Sequence, residues 1–264
     1  MDRFLDLDAF PLSNPESEAY GALVARCLDD LERNGMCNLV GFLRPEVAVD
    51  IAGTLARPFA TDGFRHARRH NIYFRAMPEL EAGHPALREF ETRNLTLPAD
   101  RLTDTPLMAI YDWPPFQRFL AEIMGKPAVY AMDDPLARVN VMSYSADDQL
   151  SWHFDRSEFT TTLLLQAPEA GGAFEYRTDL RSEDDPNYDG VATLLAGEDP
   201  EIRQITLAPG TLNVFKGRNT PHRVIPVEGE TPRVIAVFSY FEEPGKVFSK
   251  EEQVAFYGRA AELT

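Results

Sequence analysis

His153 and Asp155 stand two apart in the stretch Ser151-Trp152-His153-Phe154-Asp155. In an extended strand, residues at that spacing project from one face, so an imidazole and a carboxylate can reach one ion while Phe154 points the other way. His222, in Asn219-Thr220-Pro221-His222-Arg223, is a third ligand that would complete one face of an octahedron. Two imidazoles and one carboxylate suit non-haem Fe(II): three protein anchors, with three positions left for a bidentate co-substrate and dioxygen. The competing reading is that both histidines are packed core residues. Arg233 lies eleven residues beyond His222. A buried guanidinium needs an anion, which is either a carboxylate of a bound molecule or one of the chain's own acids.

The elements that must hold these residues are short strands. After Lys126 the apolar pattern changes from a helical period to β-rich runs: 128–132, 137–144, 160–165, 172–176, 202–207, 211–215, 222–227 and 233–241. Strands of this length broken by turn residues suggest a sandwich or barrel, and a double-stranded β-helix (jelly-roll, cupin-like) core fits both the count and the placement of the ligands. The fold class is mainly β with flanking helices, that is, α+β. Upstream, Tyr20, Leu23, Val24, Cys27, Leu28 and Leu31 form a helical stripe that Asn34-Gly35 stops. A strand over 36–42 and a second helix opened by Pro45, with Val47, Ile51 and Leu55 on one face, follow it. The span 85–125 reads as mainly helical support, including 106–111 and 115–124. The acidic segment 181–200 carries no strand pattern and reads as a surface loop, with a lid as the alternative.

A length of 264 residues with 44% hydrophobic side chains supports one domain with a sizeable core. We divide it into a mainly helical support (1–125) that also holds a substrate-side strand, a β core (126–245) and a C-terminal tail (246–264). Lysine and arginine number 26 against 42 acids, a net charge of −16, which disfavours a phosphate-backbone partner. Two cysteines, Cys27 and Cys37, make no disulfide framework and read as a reduced buried pair. The acidic, interrupted start is no signal peptide, and no apolar run is long enough to span a bilayer, so the expected location is cytoplasmic. No heptad or other assembly pattern speaks to oligomeric state.

The order His153, Asp155, a long gap, His222, then Arg233 resembles the motif of the Fe(II)/2-oxoglutarate-dependent oxygenases. Gln166-Ala167-Pro168-Glu169-Ala170-Gly171-Gly172-Ala173-Phe174 resembles the turn before the next core strand in the prolyl-hydroxylase-like branch. Pro209-Gly210-Thr211-Leu212-Asn213-Val214-Phe215 is similar to the turn and strand leading to their distal histidine, so the resemblance covers the second half of the chain. The residues 152–159, with Phe256-Tyr257-Gly258-Arg259, look most like hydroxylases related to the free-amino-acid radical halogenases.

The resemblance implies Fe(II), 2-oxoglutarate as co-substrate and dioxygen, with release of succinate and carbon dioxide and no separate protein acid or base. It implies that Arg233 holds the distal carboxylate of 2-oxoglutarate. Tyr144 is similar to a tyrosine that bonds the same carboxylate in related enzymes, although a core tyrosine reads equally well, and Asn140 lies two strand periods from it. Halogenating relatives carry glycine or alanine where Asp155 stands, so its carboxylate implies hydroxylation. The expected substrate is a small polar metabolite, a free amino acid or derivative, with no nucleic-acid or membrane partner. The same centre could instead desaturate or cyclise, or act on a peptide. A non-catalytic cupin-like metal-binding module is the reading from a different class.

Two places could read the substrate. The segment 63–75 is rich in arginine and histidine, and Arg69, Asn71 and Tyr73 interleave a fork with neutral donors in a way that suits a carboxylate. The alternative is a solvated basic patch. Arg156, directly after the metal-ligand stretch, faces either the pocket, where it would repel an ammonium side chain, or solvent, paired with Glu158 or an acid of the 181–200 insertion.

Overall fold

The first helix begins where Ser17 accepts from the Tyr20 N–H and ends where Gly35 turns left-handed (φ 71°), giving α1 (Glu18–Asn34). A computed structural model describes residues 1–262. In chain order α1 is followed by β1 (Met36–Leu39), α2 (Pro45–Asp62), β2 (Phe64–His70), β3 (Phe90–Leu97), α3 (Pro106–Tyr111) and α4 (Pro114–Ile123). Then come β4 (Tyr130–Ala131), β5 (Val139–Tyr144), β6 (Leu150–His153), β7 (Thr160–Gln166), β8 (Ala170–Gly171), β9 (Phe174–Tyr176) and α5 (Tyr188–Ala196). The chain closes with β10 (Arg203–Ile205), β11 (Leu212–Phe215), β12 (His222–Val224), β13 (Val227–Glu228), β14 (Arg233–Phe238), β15 (Tyr240–Phe241) and α6 (Lys250–Tyr257).

Two antiparallel sheets carry the site. The larger runs β1-β11-β7-β14-β5-β3-β2 and the smaller β10-β9-β12-β6. The alternation of side chains along a strand explains why the larger sheet has so few polar residues on one face and so many on the other. Val139 and Val141 of β5, Leu163 and Leu165 of β7, and Val234, Ala236 and Phe238 of β14 join the core under helices α1 to α4. Asn140, Met142 and Tyr144, Thr160 and Thr162, and Arg233, Ile235 and Val237 alternate with them and line a cavity instead. That cavity, about 310 Å³, lies between the sheets, since Leu150, His153, Phe174, His222 and Val224 of the smaller sheet line it as well.

Two segments differ from the sequence expectation. The span 85–125 holds the strand β3, paired with β2 and β5, as well as helices. Its inward face is Thr92, Asn94 and Thr96, so the alternation is polar on the inside and hides from a search for apolar repeats. The segment 181–200 contains α5, capped by Asn187, whose side chain accepts from Gly190. Val191 and Leu194 are buried in one cluster with Trp152 and Phe154, so α5 is a packed buttress, while residues 182–185 before it form an exposed loop as expected. Cys27 and Cys37 are both buried and free. No helix among the described residues is long and apolar enough to cross a membrane.

Candidate metal centre and its cavity

The pairing of β6, the edge strand of the smaller sheet, with its neighbour β12 decides where the ligands meet. His153 ends β6 and His222 starts β12, and the antiparallel register sets them directly opposite each other. Their rings lie 4.1 Å apart between centroids. Asp155, just past β6, is pinned by its N–H donating to the Gly217 carbonyl at 3.1 Å. Its Oδ1 lies 3.3 Å from His153 Nε2 and 3.6 Å from His222 Nε2. One ligand atom from each of the three residues falls within 4.8 Å of the others, which is the spread one ion bridges.

Backbone carbonyls fix the tautomers. His153 Nδ1 donates to the Ser151 carbonyl at 2.9 Å and His222 Nδ1 to the Thr220 carbonyl at 3.0 Å. With Nδ1 engaged, Nε2 is the atom each ring turns toward Asp155 and toward a metal. Thr160 donates to Asp155 Oδ2 at 2.6 Å, leaving Oδ1 toward the histidines. Burial pushes the Asp155 carboxyl up, but the His222 and His153 rings and the Thr160 hydroxyl reverse that and hold it well below the usual carboxylate range. Burial, with His153 adding to it, pushes His222 down to about 4, so its ring is neutral. A deprotonated carboxylate beside two imidazoles is the donor set that Fe(II) takes.

Behind the ligands runs a second layer of hydrogen bonds. Ser151 N–H donates to Thr92 Oγ1 at 3.0 Å, and Thr92 Oγ1 lies 2.8 Å from His70 Nε2. His70 Nδ1 in turn lies 3.0 Å from the Asn71 carbonyl, so a neutral His70 with its proton on Nδ1 satisfies every partner. Neither Thr92 nor His70 is marked by the sequence motif. The signal available was Thr92's alternation with Asn94 and Thr96.

Arg233 is buried, opposite Tyr144 in the β14–β5 register. Its guanidinium carbon lies 5.9 Å from the Tyr144 ring centroid, and it makes no ion pair among the described residues. Burial depresses its pKa and pushes the Tyr144 hydroxyl up to about 12, so Tyr144 stays a neutral donor. The only bond of that hydroxyl among the described residues is a weak one, to Met142 Sδ at 3.5 Å. Gly172, at φ 61°, lies against the Arg233 side chain, where a Cβ would stand 3.2 Å from Cδ. Asn140 lines the same cavity, donates to the Ala137 carbonyl at 3.2 Å, and keeps a buried Oδ1 with no partner among the described residues.

The residues expected to read the substrate are placed differently from one another. Arg156 lines the cavity mouth while pairing with Glu252 of α6 at 3.0 Å. Arg69 does not line it: β2 turns His66, Arg68 and His70 inward and Arg69 outward, where it pairs with Glu89 at 3.3 Å. A shift of one residue along a strand changes the face, and the sequence offered several cations to choose from. Asn71 and Tyr73 are structural. The Asn71 side chain closes the following turn on Tyr73 N–H and the Arg75 carbonyl, and the Tyr73 hydroxyl donates to the Pro186 carbonyl.

The family model described as "HalD: Halogenase D" matches residues 24–256. No curated protein matches the sequence. Among solved structures, the chain is similar to AviO1 from Streptomyces viridochromogenes at 16% identity and a TM-score of 0.56, covering 84% of this chain and 96% of that one. A 2OG-Fe(II) oxygenase-family oxidoreductase from Burkholderia pseudomallei is similar at 17% identity and a TM-score of 0.50, with 84% and 92% covered. HygX from Streptomyces hygroscopicus, solved with nickel and 2-oxoglutarate bound, is similar at 12% identity and a TM-score of 0.54, with 81% and 85% covered. At these identities the likeness shows a shared β-rich fold.

Proposed function

The chain belongs to the Halogenase D family, and from that membership we propose an Fe(II)/2-oxoglutarate-dependent dioxygenase that hydroxylates, rather than halogenates, a small polar metabolite. We read its two antiparallel sheets as the double-stranded β-helix of that superfamily, in one domain. The substrate class that fits the family resemblance is a free amino acid or a derivative.

One observation carries the reading: a single cavity contains both the His153, Asp155 and His222 cluster and an uncountered buried arginine, Arg233. A buried guanidinium is stable only with an anion at hand, and a dicarboxylate that chelates a metal at one end brings its other carboxylate to such a group. Arg233 and the neutral Tyr144 hydroxyl would hold that distal carboxylate. His153, Asp155 and His222 would hold the metal. When bound, iron and 2-oxoglutarate supply with dioxygen the oxidising power, releasing succinate and carbon dioxide. The protein's share is placement. Thr160 fixes Asp155, the Ser151 and Thr220 carbonyls fix the imidazoles, and the apolar walls at Ile235 and Val237 keep water away.

Asp155 decides the outcome. Halogenation needs a coordination place for halide where this chain has a carboxylate, and that carboxylate is bonded to Thr160 and pinned through Gly217. The test is to incubate iron-loaded protein with 2-oxoglutarate, air and pooled amino acids in chloride buffer, following succinate and product mass. The expected result is succinate with a product heavier by one oxygen. A chlorinated product, or no succinate with any compound, overturns the proposal.

A further inference from the structure

The inner end of the cavity is accounted for by the metal ligands and Arg233, but its mouth is not. There Arg68 of β2 and Arg156 both line the cavity, and among the described residues Asp155 is the only acid that does. Arg68 forms no ion pair or hydrogen bond among the described residues. Its guanidinium instead sits 4.9 Å over the Phe74 ring. Phe74 stacks on His70 with centroids 4.2 Å apart and meets the His153 ring edge-on at 5.7 Å. A short aromatic path therefore joins Arg68 to a metal ligand.

The platform is built at a cost. Phe74 has φ 56°, a left-handed conformation unfavourable for a bulky side chain. The turn imposes it: Phe74 N–H donates to the Asn71 carbonyl, and the Asn71 side chain locks Tyr73 and Arg75. Arg156 is a second, looser charge, since its bond to Glu252 is at the surface with 68% of the arginine side chain exposed. Such a pair exchanges readily. The nearby rings do not add to the charge, because burial pushes the pKa of both His66 and His70 down, the latter to about 4. Burial first, and then the charge of Arg156, disfavour the charge on Arg68, so the two guanidinium groups repel across the mouth. An anion relieves that repulsion and a cation worsens it.

We propose that the cavity mouth is an anion site, in which Arg68, braced on Phe74 and assisted by Arg156, holds a carboxylate of the substrate while an uncharged part reaches toward His153. Only in calling that ligand the substrate does this rest on the proposed function. The cavity then selects organic acids with an uncharged distal chain and rejects compounds whose distal end is an ammonium.

Binding of hexanoate and octanoate, against hexylamine, octylamine and L-lysine, is measured by calorimetry on the metal-free protein with saturating 2-oxoglutarate. The carboxylates are expected to bind and the amines and lysine not to. Arg68→Gln weakens the carboxylates at least about tenfold and Arg68→Lys less. Arg69→Gln, on the outward face of the same strand, leaves binding unchanged. Carboxylate binding indifferent to Arg68→Gln, amines or lysine binding as tightly, or no carboxylate binding overturns the anion site. Arg68-dependent carboxylate binding in a protein that yields no succinate after iron loading would instead sink the enzymatic reading and leave the anion site standing. Arg68 is half-buried at a cavity rim, and circular dichroism of each variant separates lost binding from lost fold.

Discussion

Gly217 backs directly onto Asp155: a Cβ on Gly217 would overlap the carboxylate oxygen Oδ2, and the Gly217 carbonyl accepts from the Asp155 N–H. The glycine is required by close approach, because its backbone is not in the left-handed region. We expect Gly217→Ala to push the carboxylate off its bond with Thr160 and lower iron affinity about tenfold to a hundredfold. The melting temperature should move little, since no core side chain is lost. Chelator competition read beside a thermal melt checks this, and unchanged iron affinity would refute it.

Arg233 presents the opposite balance, a residue that burdens the fold for the sake of a ligand. Its guanidinium is buried beside a neutral tyrosine with no acid to meet it. Arg233→Met keeps the volume and removes the buried charge, so the ligand-free protein should gain ~1–3 kcal/mol in stability. The same change should abolish stabilisation by 2-oxoglutarate. Urea melts with and without 2-oxoglutarate read both. A variant less stable than the parent and still stabilised by the ligand would be the contrary result.

The metal-ligand spacing was legible because residues two apart in extended chain face the same way, although β6 ends at His153 and Asp155 is held just beyond it by the Gly217 carbonyl. The distal partners His222 and Arg233 were legible through their order and interval. What the sequence hid was choice among like residues. In β2, Arg65, Arg68 and Arg69 are chemically alike, and only the register with β3 says that Arg68 turns inward. Polar inward faces also misled, since Thr92, Asn94 and Thr96 leave no apolar alternation to mark a strand inside a span that reads as mainly helical. The buttress α5 was masked by the acids around it, because its two buried contacts are too few to register as a helical stripe.

His70 gives the fold a pH dependence whose sign can be worked out. Burial holds its folded pKa at about 4, against 6.5 for an unperturbed histidine. Between those values the unfolded chain binds a proton that the folded chain refuses. Stability is therefore flat above about pH 6.5 and falls as pH drops toward 4, by on the order of 2–3 kcal/mol from this group. His70→Gln should flatten that part of the curve. Urea midpoints of the metal-free protein from neutral pH to about pH 4.5 measure it. Parallel curves for parent and variant would contradict the assignment.

The helix α5 tests whether packing behind the site positions the metal. Leu194 and Val191 are fully buried against Trp152 and Phe154, the neighbours of His153 on either side in sequence. Arg181 reinforces the contact, with its guanidinium 3.9 Å from the Phe154 ring centroid. Truncating Leu194→Ala opens a cavity beneath that strand and should cost ~2–4 kcal/mol of stability. Because Trp152 and Phe154 flank His153 and Phe154 directly precedes Asp155, the loss should also reach the metal, weakening iron binding several-fold even where the variant is fully folded. A matched truncation away from the site, Leu107→Ala in α3, should cost similar stability and leave iron affinity alone. If both variants bind iron like the parent, α5 supports the fold and has no part in placing the ligands.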